Sequence, residues 1–261
     1  MEISGVVNGK ITVDWFGNVS MKWRKTNNVQ KEKIKLRTND KDWRDFSMKN
    51  NYVVIIGKFV SGFEYSHESF GEKFYRTMVA VKRLSDQIDY IPLIVPERLI
   101  DISKNYMGQC VCIKGQFRSL NWSGAEKQRL ILSVFVTGIE FIDEITENAN
   151  DNQIFLNGYV CKKPINRKTP LGREITDLLV AVHRSYGKSD YIPCICWGKD
   201  ARLASGFKIG DCIRIDGRIQ SREYAKKLPN DVTETRVAYE VSVSKVNPKR
   251  MPKLNVTARM N

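Results

Sequence analysis

The sequence predicts a mainly β protein made of two tandem five-stranded barrels, and three observations predict it. The chain repeats itself at an offset of 101 residues, each copy reads as short apolar runs, and each copy carries one short helical stretch. In the repeat, Asn51 and Gly57 match Asn152 and Gly158, and Gly71 matches Gly172. Ala80-Val81 and Arg83 return as Ala181-Val182 and Arg184, and Tyr90-Ile91-Pro92 returns as Tyr191-Ile192-Pro193. After a one-residue insertion, Gly108, Cys110, Ile113, Gly115 and Ser119 match Gly210, Cys212, Ile215, Gly217 and Ser221. So many identities in one register mark a duplication, and a duplicated unit folds twice.

In the first copy the strands are NYVVIIGKFV, FYRTMVAVKRL, YIPLIV, CVCIKGQF and LILSVFVTGIEF. In the second they are QIFLNGYVC, EITDLLVAVHR, YIPCICW, CIRIDGRI and VAYEVSVSKV. β-branched and aromatic residues fill these runs, and Gly, Asn, Asp and Ser punctuate them. The helical stretches, PERLIDISKNYMG and GKDARLASGFKIG, fall between the third and fourth strands. Five strands with a helix in that position is the order of the OB-fold, a small Greek-key barrel. An SH3-like barrel lacks the helix, and an immunoglobulin sandwich needs about seven strands.

The expected organisation is an N-terminal appendage at 1–50, a first OB-fold at 51–142 and an acidic linker at 143–151. A second OB-fold follows at 152–246, then a basic tail at 247–261. The appendage carries Trp15, Phe16, Trp23 and Trp43 and a hairpin-like Asn8-Gly9 turn, but has no counterpart in the second copy. The net charge of +14 and pI near 9.5 point to a polyanionic partner, nucleic acid or an acidic membrane surface. That charge is uneven: +5 in the appendage, +2 in the first barrel, −4 in the linker, +7 in the second barrel and +4 in the tail. The second barrel is therefore expected to hold a phosphate backbone more strongly.

Several classes are disfavoured. No run approaches the ~20 apolar residues of a membrane span, and MEISGVVNGK does not read as a signal peptide. A cytoplasmic protein with reduced thiols is expected. Five of the six cysteines, Cys110, Cys112, Cys194, Cys196 and Cys212, sit in apolar strand runs, where Cys packs as a small hydrophobe. With no C-x-x-C pair and only His67 and His183, neither a metal site nor any cofactor is expected. Phosphate-loop and H-E-x-x-H motifs are absent, so the chain reads as a binding protein and not an enzyme.

The second copy carries a more specific pattern. Ser189 to Lys199 (SDYIPCICWGK) is followed by Ala201-Arg202-Leu203-Ala204, Ile209-Gly210-Asp211, the strand IRIDGRI and Gln220-Ser221-Arg222-Glu223-Tyr224. This resembles the bacterial single-stranded DNA-binding proteins over nearly all of 152–246, and more loosely over 51–142. The resemblance implies base stacking on Tyr186, Tyr191, Trp197 and Tyr224, and on Tyr90 and Trp122 in the first copy. There Ser85 and Pro96 stand where Tyr186 and Trp197 stand in the second.

Every base has a π-face, so such platforms bind any sequence, and only unpaired strands expose those faces. Candidate phosphate contacts are Arg184, Lys188, Arg218, Arg222, Lys226 and Lys227, with Lys82, Arg83, Arg118, Lys127 and Arg129 in the first copy. Tyr191 and Trp197 are six residues apart and share a strand face, but the sequence leaves open whether that face is core or DNA side. The resemblance further implies a homodimer presenting four barrels. The basic end NPKRMPKLNVTARMN departs from the acidic, Phe-tipped arm of the family, so its partner enzymes stay unknown. Two alternatives remain open: an OB accessory or interaction module that binds DNA weakly, and an RNA binder.

Overall fold

The computed structural model describes residues 12–13, 19–20, 50–123, 128–145, 151–184, 187–227 and 233–249. The chain divides into two units, Met1–Arg37 and Thr38–Asn261. In the first unit, β1 (Thr12–Val13) pairs antiparallel with β2 (Val19–Ser20). The Asn8-Gly9 turn and the appendage tryptophans lie outside the described residues, as do residues 250–261 of the tail.

The second unit holds both barrels. In barrel 1, β3 (Asn51–Phe59) is followed by β4 (Glu64–Ser69), β5 (Glu72–Lys82), β6 (Ile88–Pro96), β7 (Cys110–Ser123) and β8 (Gln128–Ile142). In barrel 2, β9 (Asn152–Val160) is followed by β10 (Ile165–Lys168), β11 (Glu174–His183), β12 (Ser189–Trp197), β13 (Cys212–Lys227) and β14 (Thr233–Pro248). Each barrel closes in the same two ways. The first strand pairs with both the second and fourth main strands, β3 with β5 and β7, and β9 with β11 and β13. The third and fifth join in parallel, β6 with β8 and β12 with β14. These are tandem OB-folds. The short β4 and β10, which the apolar pattern does not reveal, are polar flanges on β5 and β11.

Alternation decides what each strand buries. In β6, Asp89, Ile91, Leu93 and Val95 point inward, and in β12 Asp190, Ile192, Cys194 and Cys196 do so. Fourth and fifth strands bend over the core at paired bulges, Lys114/Gly115 and Asp216/Gly217. A Cβ on Gly115 would stand 2.5 Å from the Phe135 carbonyl oxygen, and one on Gly217 2.5 Å from that of Ser242. Only glycine lets the neighbouring backbone approach so closely.

The helix expected in both copies forms as an α-helix in barrel 2 alone among the described residues, as α1 (Gly198–Ser205). Ala201 and Ala204 are buried, and Asp200 accepts a hydrogen bond from the Val246 amide at 3.0 Å. In barrel 1 that place holds one 3-10 turn, Glu97–Leu99, which ends at extended Ile100. Beyond it, short polar side chains bond the local backbone: Asp101 accepts from the Ser103 amide at 3.1 Å, and Asn105 from that of Met107 at 2.9 Å. Such bonds compete with helical ones.

β3 and β9 pair antiparallel, Asn51 opposite Leu156 through Ile55 opposite Asn152, so one sheet of twelve strands runs through both barrels. The duplicated residues Val53 and Ile154 face each other, and the seam around them is nearly two-fold. In barrel 1, Arg83 donates from Nε to Asp89 at 2.7 Å, and Asp89 accepts from the Ser221 amide of barrel 2 at 2.7 Å. In barrel 2, Arg184 donates from Nε to Asp190 at 2.7 Å, and Asp190 accepts from the Ser119 amide of barrel 1 at 2.5 Å. Each arginine also donates to the carbonyl of the serine it faces, Ser221 at 3.0 Å and Ser119 at 2.7 Å. Asp89 is fully buried and Asp190 is 1% exposed, so both depend on these donors.

Two predictions follow from burial. Replacing Asp190 by Ala leaves Arg184 without its counter-charge, with an expected loss of about 3 kcal/mol. The drop in urea midpoint measures it, and an unchanged midpoint would mean that the seam adds nothing to stability. Burial also pushes the Cys196 thiol up to about 12 and that of Cys194 well above its ordinary value. Neither should react with Ellman's reagent at pH 8 until the protein is unfolded, because the thiolate is the reacting form.

Candidate nucleic-acid interface

The inward phase of β12 leaves Tyr191, Pro193 and Trp197 on the outer face, so the face shared by Tyr191 and Trp197 is not the core. Register extends this face across the sheet. Ala181 lies opposite Tyr191 and Ile175 opposite Trp197 on β11, while Ser242 of β14 lies beside Ile195. On β13, Arg218, Gln220, Arg222 and Tyr224 oppose Ser242, Glu240, Ala238 and Arg236.

Tyr191 is 40% exposed and Tyr224 37% exposed, ample for a base to stack on. Trp197 is half-buried, and its indole Nε1 donates to Ser242 Oγ at 3.3 Å, which fixes the ring. Arg222 is exposed, lies 5.9 Å from the Tyr224 ring centroid and is 3.8 Å from Glu240. Gln220 donates to that same carboxylate at 2.7 Å. Glu240 therefore restrains Arg222 near Tyr224 without burying its charge. At the Trp197 end the face opens into a cleft lined by Lys168, Arg173, Glu174, Gly198 and Arg202. Its one carboxylate, Glu174, is paired with Arg202 at 3.2 Å. Sequence reasoning passed over Lys168 and Arg173, because only the fold brings the β10–β11 turn beside Trp197.

The other expected cations divide into two groups. Arg83 and Arg184 are committed to Asp89 and Asp190 in the seam. Arg218 is half-buried, and its NH1 lies 3.6 Å from Asp89. Burial, then the neighbouring Arg83, pulls its pKa down. Lys188 is exposed in the β11–β12 turn, and Lys82 is exposed with Asp86 at 3.2 Å. Lys226 and Lys227 end β13, but their side chains lie outside the described residues, as do those of Trp122 on β7 and Arg129 on β8. Tyr186 and Lys127 lie outside them altogether.

Barrel 1 arranges its outer face differently. Tyr90 is half-buried, and burial raises its phenol pKa. Pro96 stands where barrel 2 has Trp197. One strand over, Phe135 lies opposite Ile94, at the place Ser242 takes opposite Ile195. Phe135 packs 5.4 Å from Phe74, which stacks on His67 at 4.9 Å, and the Arg118 guanidinium lies 4.0 Å from the Phe135 centroid. This aromatic group was missed by matching position to position. Its signal was the alternation of β8, where Leu132, Val134 and Val136 are core and Phe135 takes the outward phase.

Among the described residues, no three His, Cys, Asp or Glu side chains gather to hold a metal ion. No described helix is long and apolar enough to cross a membrane.

Comparison with known proteins places this geometry. The model of the single-strand binding protein family matches residues 151–248. Single-stranded DNA-binding protein 2 of Listeria innocua is 34% identical over 105 residues, 38% of this chain and 65% of the relative. Single-stranded DNA-binding protein A of Bacillus subtilis is 32% identical over 105 residues, 38% of this chain and 60% of the relative. The chain thus spans less than two thirds of the length of these relatives. The wild-type single-stranded DNA binding protein from Thermus aquaticus superposes with a TM-score of 0.62 at 18% identity, covering 80% of this chain and 98% of that one. That likeness is one of fold, and it extends over more than either barrel alone. The second barrel, residues 151–248, is thus similar in sequence to the single-strand binding protein family.

Proposed function

We propose that this chain binds single-stranded DNA without sequence preference and without catalysis, protecting exposed strands in replication, recombination or repair. The observation that carries the reading is the outer face of β12, β14 and β13. Tyr191 and Tyr224 are solvent-accessible there, Trp197 is held beside them, and Arg222 and Lys188 stand in the open. Stacking supplies affinity for any unpaired base, and the cations supply a salt-dependent hold on phosphates. The named function of the relatives in Listeria and Bacillus agrees with this use of the face.

Arg83 and Arg184 have structural work in the proposal, joining the barrels. The phosphate contacts it assigns are Lys188, Arg222, Lys226 and Lys227 in barrel 2, Lys82, Arg118, Lys127 and Arg129 in barrel 1, and Arg218 at the seam. Tyr186, Tyr90 and Trp122 are further stacking candidates. A homodimer with four barrels, working in the cytoplasm, completes the reading, and sedimentation equilibrium at micromolar concentration tests the dimer.

Tyr191→Ala and Tyr224→Ala are each expected to weaken binding of an oligo-dT 30-mer by about 1–3 kcal/mol while leaving the melting temperature nearly unchanged. Tryptophan fluorescence titration reads the affinity. Unchanged affinity in both variants, or equal binding of matched duplex by the wild type, would favour the interaction-module alternative. An oligo-rU competitor that displaces dT at equal concentration would favour RNA.

A further inference from the structure

The two outer faces meet at the seam. The Tyr191 backbone amide donates to Ser119 Oγ of barrel 1 at 2.8 Å, so β12 of one barrel lies directly against β7 of the other. Ser119 turns into the seam, and its neighbour Arg118 takes the opposite phase, the outer face of barrel 1. Arg118 donates from Nε and NH2 to Gln116 Oε1 at 3.2 and 2.7 Å and lies over Phe135 at 4.0 Å.

Among the described residues Arg118 forms no ion pair, unlike Arg83, Arg184, Arg218 and Arg222. It is half-buried, and burial followed by the nearby Arg184 charge lowers its pKa, with Asp190 opposing them weakly. A half-buried guanidinium without an ion-paired carboxylate among the described residues leaves positive potential for an anion to answer. Its planar face, backed by an aromatic ring, is also a surface on which bases stack.

We propose that a single strand bound on barrel 2 passes onto barrel 1 at a composite subsite, where Tyr191 stacks one base and Arg118, backed by Phe135, takes the adjoining phosphodiester. This rests on the single-strand reading above. It gives Arg118 a defined place in the strand's track beside Tyr191, and it makes the seam part of that track.

The test is a double-mutant cycle on the full chain with an oligo-dT 30-mer. R118Q is expected to lower affinity about tenfold and to reduce the log-log salt slope by about 0.7, one phosphate contact. Combined with Y191A, its effect should be less than the product of the two single effects, whereas combined with Y224A, whose strand β13 meets barrel 1 through Ser221 and Asp89 of β6, the effects should multiply. R118Q within twofold of wild type, or full multiplicativity with Y191A, would overturn the inference while leaving single-strand binding intact.

A second measurement needs no variant. A 30-mer with one central 5-iododeoxyuridine should photocross-link to Tyr191 and to the peptide containing Phe135; cross-links confined to barrel 2 would overturn the composite subsite. Failure of the wild type to bind the 30-mer at all would instead overturn the parent reading.

Discussion

The position of both outer faces depends on two carboxylates, Asp89 and Asp190, buried where the barrels meet. Each is gripped by an arginine of its own barrel and by a backbone amide of the other. A buried carboxylate left without donors is costly, so neither barrel completes its own polar network alone. The pairing of β3 with β9 supplies backbone bonds, and the carboxylates fix how the two barrels are turned about that pair. Asn51 and Asn152 brace the arrangement by bonding both backbone groups of Phe117 and of Ile219, which hold the fourth strands in place.

Within this frame the outer faces of the two copies differ. Barrel 2 has accessible tyrosines, a held tryptophan and a cationic cleft. Barrel 1 has moved its aromatic weight one strand over, to Phe135 and Phe74, and covers it with Arg118. The duplication explains the shared frame of bulges, glycines and seam contacts, which packing constrains. The outer faces touch solvent, so they were free to diverge.

Cations that look alike in sequence have different physical lives here. Arg184 and Arg222 both lie near aromatic residues of barrel 2 in a basic region of the chain. Arg184 spends its donors on Asp190 and Ser119, while Arg222 stays exposed beside Tyr224. Counting charge therefore overstates how much of it stands open to solvent. The restraint of Arg222 by Glu240 shows the complementary point, that a carboxylate on the face can orient a cation.

The sequence by itself determined the duplication, the strand runs, the OB order and the likeness of the second copy to the single-strand binding proteins. These depend on local alternation and on matched identities, which need no knowledge of distant contacts. The outward phase of Tyr191 and Trp197 was half legible: spacing put them on one face, and only closure of the barrel decided which face was outside. Tertiary structure alone decided the rest. It replaced the first helix with a 3-10 turn and set Lys168 and Arg173 beside Trp197. It also buried Asp190 by bringing in Ser119, 71 residues away in the chain, and so engaged the Arg184 guanidinium in the seam. Burial is a property of what packs against a residue, and here the packing partner is the other barrel.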